Sequence, residues 1–202
     1  LESLRLMVLA TRGLPAQVFA RVPVIEYWTA KRVLDQGVSG VIFPFTSTPE
    51  LAQRAAEACH YPPLGRRGSG AGAAVRTWPE AGNYYDSADH NMAVQCVVEE
   101  ASALDHIDEI CATTGVDIIF IGTSDLSFSM GLRGRQDAPE LQDAIRRIAE
   151  AARRHGKFLG RPAANARQVK EFMDQGFLLF QMPTEIGLME LRPVWLMGPD
   201  VA

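Results

Sequence analysis

The chain has 202 residues, a formal net charge of −4, and nearly half of its residues are apolar. That is chain enough for one domain with a sizeable core, and the mild acidity gives no footprint for nucleic acid, whose binders show a basic patch or stripe. No apolar run approaches the ~20 residues of a membrane-spanning helix, and no secretory signal is recognisable. Three cysteines (Cys59, Cys96, Cys111) without metal-ligand spacing predict reduced thiols in a cytoplasmic protein.

In chain order, Leu1, Leu4, Val8 and Leu9 form a helical apolar stripe that Gly13 stops. The sequence opens inside this helix without a Met, so a preceding segment is expected. A short strand over 17–22 leads to a helix over 27–36, ended by Gly37. A strand over 39–45 leads to a helix over 49–59, with Thr48 as cap and Pro49 in the first position. A loop rich in Gly, Pro and Arg fills 60–78, and a short polar segment follows over 84–91. Next come a strand over 92–98, a helix over 101–114 and a strand over 116–121. A strongly periodic helix spans 139–155, then a weak strand 158–163 and a helix 166–175 ended by Gly176. A strand over 177–182 leads into a tail helix reaching 196, interrupted by Pro193.

Strands that alternate with helices build βαβ units and a parallel sheet. No linker or low-complexity run divides the chain, so 1–202 reads as one domain. Two architectures compete. A doubly wound open sheet would be complete with six strands. A (β/α)8 barrel would need two more strands and roughly 250 residues in all. The start inside a helix favours the barrel, with its first one or two βα units missing. In both, function belongs where strands end and helices begin.

The strand ends carry chemistry. Arg21 lies on the first strand, and Glu99-Glu100 ends the third. Gly122-Thr123-Ser124-Asp125 ends the fourth, Arg161 lies on the fifth, and the sixth runs into Pro183-Thr184-Glu185. Neighbouring strands are only ~5 Å apart, so Glu99 and Asp125 are within reach of one hard cation such as Mg²⁺ or Mn²⁺. An arginine on the same rim can pair with a carboxylate or a developing oxyanion. Each residue alone has a plainer reading. An isolated Asp125 is more often a helix cap, and Arg21 suits a surface ion pair. His60, His90, His106 and His155 fall away from the strand ends, where solvated surface roles are expected. GSGAG (68–72) follows a helix and a loop, not a strand, and so fails the context of a dinucleotide fingerprint. It reads as a flexible loop and a candidate lid.

Several stretches together resemble a known family. They are Arg21-Val22-Pro23, Val33-Leu34-Asp35-Gln36-Gly37, Phe43-Pro44-Phe45-Thr46, and His60-Tyr61-Pro62-Pro63-Leu64-Gly65-Arg66-Arg67-Gly68. Val97-Val98-Glu99 and Phe120-Ile121-Gly122-Thr123-Ser124-Asp125-Leu126-Ser127 complete the set. In order and spacing they are similar to the HpcH/HpaI aldolases, metal-dependent class II pyruvate aldolases of the 4-hydroxy-2-oxoheptanedioate aldolase type. The similarity runs from residue 1 to Gly176 and fades beyond it.

The resemblance implies a (β/α)8 TIM barrel of the phosphoenolpyruvate/pyruvate-binding type. It implies that Glu99 and Asp125 hold a divalent cation (Mg²⁺, Mn²⁺ or Co²⁺). Arg21 would be catalytic and would contact the oxygens of the 2-oxo acid, and the backbone amides at Gly122, Thr123 and Ser124 would receive its carboxylate. The implied reaction is reversible cleavage of a 4-hydroxy-2-oxo acid to pyruvate and an aldehyde through a pyruvate enolate, with the cation as Lewis acid. No Schiff-base lysine is implied, since Lys31, Lys157 and Lys170 do not match such a position. A homo-oligomer, trimer or hexamer, is implied as well, and the apolar tail 186–196 with Trp195 suits an exchanged helix.

The sequence departs from the family pattern in four places. The D-x-E-H segment with the general-base histidine is absent from these 202 residues and is expected to precede them. Val97 replaces a glutamine, Thr123 replaces a proline, and residues 179–183 lack the V-G-x-D pattern. These departures leave two alternatives: a citrate-lyase-beta-like acyl-CoA lyase, or a catalytically impaired metabolite-binding member.

Overall fold

Side chains alternate between the two faces of a strand, and here each face has its own use. The computed structural model of the chain describes residues 1–77, 83–184 and 187. Helix α1 (Glu2–Ala10) comes first, then β1 (Phe19–Arg21), α2 (Tyr27–Leu34), β2 (Gly40–Phe43) and α3 (Pro49–Cys59). Two single-turn helices, α4 (Ala74–Thr77) and α5 (Tyr84–Ser87), precede β3 (Ala93–Val98). A 3₁₀ turn (Ala101–His106) runs into α6 (Ile107–Ala112), followed by β4 (Ile118–Ile121) and α7 (Thr123–Ser129). Helix α8 (Pro139–Arg154), β5 (Phe158–Pro162), α9 (Ala166–Asp174) and β6 (Leu179–Gln181) complete the order.

All five strand pairings are parallel, and the strands lie in the sheet in the order β1-β2-β3-β4-β5-β6. A doubly wound sheet reverses direction at a switch point. This one never reverses, so the doubly wound alternative is excluded. Residues from all six strands line one cavity of about 920 Å³. A flat sheet cannot gather them so; the sheet curls into a half-barrel, with β1 and β6 as its edges.

The outward face is the core. Val41, Phe43, Val94, Cys96, Val98, Ile119, Ile121 and Leu159 are buried there beneath the helices. Removing a side chain the size of Phe43 or Ile119 from water contributes ~1.5–3 kcal/mol. Helix α8 meets this face with Leu141, Ile145, Ile148 and Ala152, spaced at helical intervals. Helix α3 offers a row of alanines, and Thr48 caps it by accepting from the Leu51 amide at 3.3 Å.

The inward face carries Phe19, Arg21, Ile42, Gln95, Val97, Phe120, Pro162, Leu179 and Gln181. Glycines make room for its rings. A Cβ on Gly40 would stand 2.4 Å from the Phe19 ring, and one on Gly160 would stand 2.5 Å from Phe120.

Several expectations need correction. The helix expected over 101–114 is split, because the chain turns tightly as 3₁₀ before α6 begins. Helix α7 was not anticipated from its polar TSDLSFS sequence. His60 is not a solvated surface residue: it is buried, with its Nδ1 2.7 Å from the Ala56 carbonyl oxygen. The GSGAG loop is tied down, not free. Lys31 donates to the Gly70 carbonyl at 2.8 Å, and the Tyr85 hydroxyl donates to that of Ser69. Beside it, buried Arg67 lies over the Tyr61 ring and donates to the Tyr84 hydroxyl at 2.9 Å. Glu185 and the expected tail helix lie outside the described residues. Among those described, no helix is long and apolar enough to cross a membrane.

Candidate active site

The residue that follows β3 faces the cavity by strand alternation. Gln95 and Val97 point inward, and Glu99 continues the series. Glu99 is buried, although it is a carboxylate. Its Oε1 accepts from the Phe45 amide at 2.9 Å and lies 3.5 Å from Nη2 of Arg21. Arg21 comes from the inward face of β1, so β1, the turn after β2 and β3 converge on one carboxylate.

Asp125 arrives from the next strand. β4 ends at Ile121, Gly122 stands just before α7, and Asp125 lies in the first turn of that helix. It is exposed to the cavity and beside Glu99. Burial holds the Glu99 carboxyl above the usual carboxylate range. The Phe45 amide and the Arg21 guanidinium oppose that rise, while the charge of Asp125 adds to it.

This donor set fits a divalent cation. Two carboxylates face one space, and one is buried at an energetic cost that a positive charge would offset. Among the described residues there is no cluster of three or more His, Cys, Asp or Glu. The other positions around a cation would therefore belong to water and substrate oxygens, a common arrangement for Mg²⁺.

The amides at the start of α7 are not equivalent. That of Gly122 donates to the Val98 carbonyl at 3.0 Å as part of the sheet. Among the described residues nothing accepts from the amides of Thr123 and Ser124, which stand at the open end of the helix. Arg161 is not on this rim. Its guanidinium turns outward and stacks 3.6 Å from the Phe172 ring centroid, near Phe177. None of the four histidines lines the cavity.

Two features of the cavity are not evident from sequence motifs. Phe45 contributes through its backbone, which no side-chain pattern reveals. Gln95 is buried on the inward face with its Oε1 unpaired among the described residues. Its spacing of two and four from Val97 and Glu99 was the available signal.

The sequence profile of the HpcH/HpaI aldolase/citrate lyase family matches residues 4–190. The chain belongs to that family. It is thereby an enzyme of the carbon–carbon lyase class. A 5-keto-4-deoxy-D-glucarate aldolase of Shigella boydii is 30% identical over 181 residues, covering 90% of this chain and 70% of the relative. An Escherichia coli protein of the same name is also 30% identical, with 71% of its length covered. Among solved structures, a family member from Burkholderia cenocepacia superposes with a TM-score of 0.87 at 28% identity. That match covers 97% of this chain and 79% of the other. The HpcH/HpaI aldolase of Desulfitobacterium hafniense gives 0.85 at 23% identity, over 100% of this chain and 79% of the other, a likeness that speaks for the fold.

Proposed function

We propose that this HpcH/HpaI family member is a metal-dependent aldolase that cleaves a 4-hydroxy-2-oxo acid to pyruvate and an aldehyde. The observation that carries the reading is the convergence of Glu99, Asp125 and Arg21 at one end of the cavity. Glu99 and Asp125 hold a divalent cation, which supplies Lewis-acid polarisation of the substrate's 2-oxo group. The fold that goes with this reading is a (β/α)8 barrel of the phosphoenolpyruvate/pyruvate-binding type.

The chain's own residues bind and orient. The amides of Thr123 and Ser124 receive the substrate carboxylate at the positive end of α7. Gly122 contributes space there, since its amide is already engaged. Arg21, more than half exposed to the cavity, is free to swing its guanidinium toward the 2-oxo oxygen. In cleavage the C3–C4 bond breaks, and the 4-hydroxyl proton leaves to a base. C4 becomes the aldehyde carbon, and the bonding pair stays on the three-carbon fragment as the pyruvate enolate. Arg21 stabilises the negative charge on that enolate oxygen, and protonation at C3 yields pyruvate. None of the four histidines lines the cavity, so that base is not one of them.

The relatives' names point to the first substrate to try. Counted from its keto end, 5-keto-4-deoxy-D-glucarate is a 4-hydroxy-2-oxo acid. The test is pyruvate release by the full-length protein, coupled to NADH oxidation, against free 2-oxo acids and acyl-CoA thioesters in parallel. The reading expects turnover of 2-oxo acids that EDTA abolishes and added Mg²⁺ or Mn²⁺ restores. Turnover of thioesters alone would move the protein to the acyl-CoA lyases, and binding without turnover would make it a metabolite-binding member. Subunit count, by light scattering of the same preparation, checks the expected trimer or hexamer.

A further inference from the structure

Phe45 has a backbone φ of 50°, in the left-handed region. For a bulky residue this is an outlier that costs free energy, and such conformations persist only where the surroundings hold them. The surroundings here are visible. Phe43, at the end of β2, is registered against Cys96, and the Thr46 amide donates to the Val97 carbonyl at 3.0 Å. The Thr46 hydroxyl reaches back to the Phe43 carbonyl at 3.4 Å. The chain is thus fastened to β3 on both sides of Pro44-Phe45. Phe45 is about half exposed (49%), so packing of its side chain does not explain the conformation. The Phe45 amide does: it donates to Oε1 of Glu99 at 2.9 Å.

Oε1 also takes the longer contact from Arg21, at 3.5 Å. Oε2 lies on the Gly122 side, within 2.7 Å of where a Cβ on that residue would be. We infer that Phe45 is a positioning residue for the cation site: its left-handed turn aims the amide that fixes Oε1 of Glu99 and leaves Oε2 for the cation. This rests on the reading of Glu99 and Asp125 as cation ligands. Phe45 does not touch the cation itself; it sets the orientation of a ligand that does.

The test uses the full-length protein and Mn²⁺ binding, read by electron paramagnetic resonance without substrate. Replacing Phe45 by its α-hydroxy acid, phenyllactate, turns the amide into an ester and removes the N–H donor while keeping the side chain. Mn²⁺ affinity is expected to fall by ~10–100-fold, the usual effect of losing a partner of a ligand. Phe45→Gly keeps the donor and suits a positive φ, so it should leave affinity unchanged and raise the thermal midpoint. Phe45→Val, which resists a positive φ, should weaken Mn²⁺ as the ester does. Unchanged affinity in the ester overturns the inference. The parent cation reading fails separately, and this inference with it, if Glu99→Gln binds Mn²⁺ as tightly as the wild type.

Discussion

A Cβ added to Gly122 would lie 2.7 Å from the Cβ of Glu99 and 2.7 Å from its Oε2. The glycine that follows β4 is therefore required by the carboxylate that follows β3. Its φ of −78° is open to any residue, so backbone freedom is not the reason. Gly122→Ala should force Glu99 aside, destabilise the fold by ~1–3 kcal/mol as overpacking does, and abolish metal-dependent pyruvate release. Thermal melts and the coupled assay, run on one preparation, check both parts. An active Gly122→Ala enzyme would show that Glu99 does not need its observed place.

Arg21 makes a single contact of 3.5 Å with Glu99 while its own side chain is mostly exposed. The contact is long, its Arg21 side is screened by solvent, and buried Glu99 keeps its bond from the Phe45 amide, so Arg21→Met should cost only ~1 kcal/mol of stability. Its turnover should nevertheless fall by ~100-fold or more, the scale seen when a donor to a developing oxyanion is removed. A variant that loses stability while keeping its rate would make Arg21 structural.

Arg161 supplies the contrast. It is buried, burial lowers its pKa, and its guanidinium lies against Phe172 and Phe177 on the side away from the cavity. Arg161→Met should leave the KM for the 2-oxo acid and the metal requirement as they are. The lost stacking should cost no more than ~2 kcal/mol. A folded variant with a raised KM would mean that Arg161 reaches substrate after all.

The three cysteines predict an alkaline limit to stability. Burial pushes Cys96 and Cys111 from the ordinary thiol value of 9.0 up to about 12, and Cys59 higher still. The folded chain therefore keeps protons that the unfolded chain gives up. The stabilisation is fully present below pH 9 and is lost as pH rises toward about 12. Denaturant midpoints between pH 8 and 11 should fall with pH, and less steeply in Cys96→Ala. Native thiols should react with a thiol reagent only after unfolding, and rapid labelling of the native protein would contradict their burial.

Much of this was legible in the sequence because a parallel sheet makes strand ends meaningful. Period-two spacing set Val97 and Glu99 on one face, and the alternation of strands and helices placed Asp125 one strand away. What stayed hidden depends on three-dimensional approach. The close fit of Gly122 to Glu99 joins residues on different strands, and Phe45 acts through an amide that sequence does not display. A histidine after a helix looks solvated in sequence, whereas Gly115 and the end of α3 close over His60. Proximity in sequence puts Arg161 near the rim, but in a strand its parity with Pro162 decides the face, and parity sends it outward.

The central claim is that Glu99 and Asp125 share one cation. Crystals of the full-length protein grown with Mn²⁺ and measured at the manganese absorption edge test it most directly. The account predicts one anomalous peak per chain, in contact with both carboxylates and absent from the Asp125→Asn crystal. A peak bound elsewhere, or one that persists unchanged in Asp125→Asn, would contradict it.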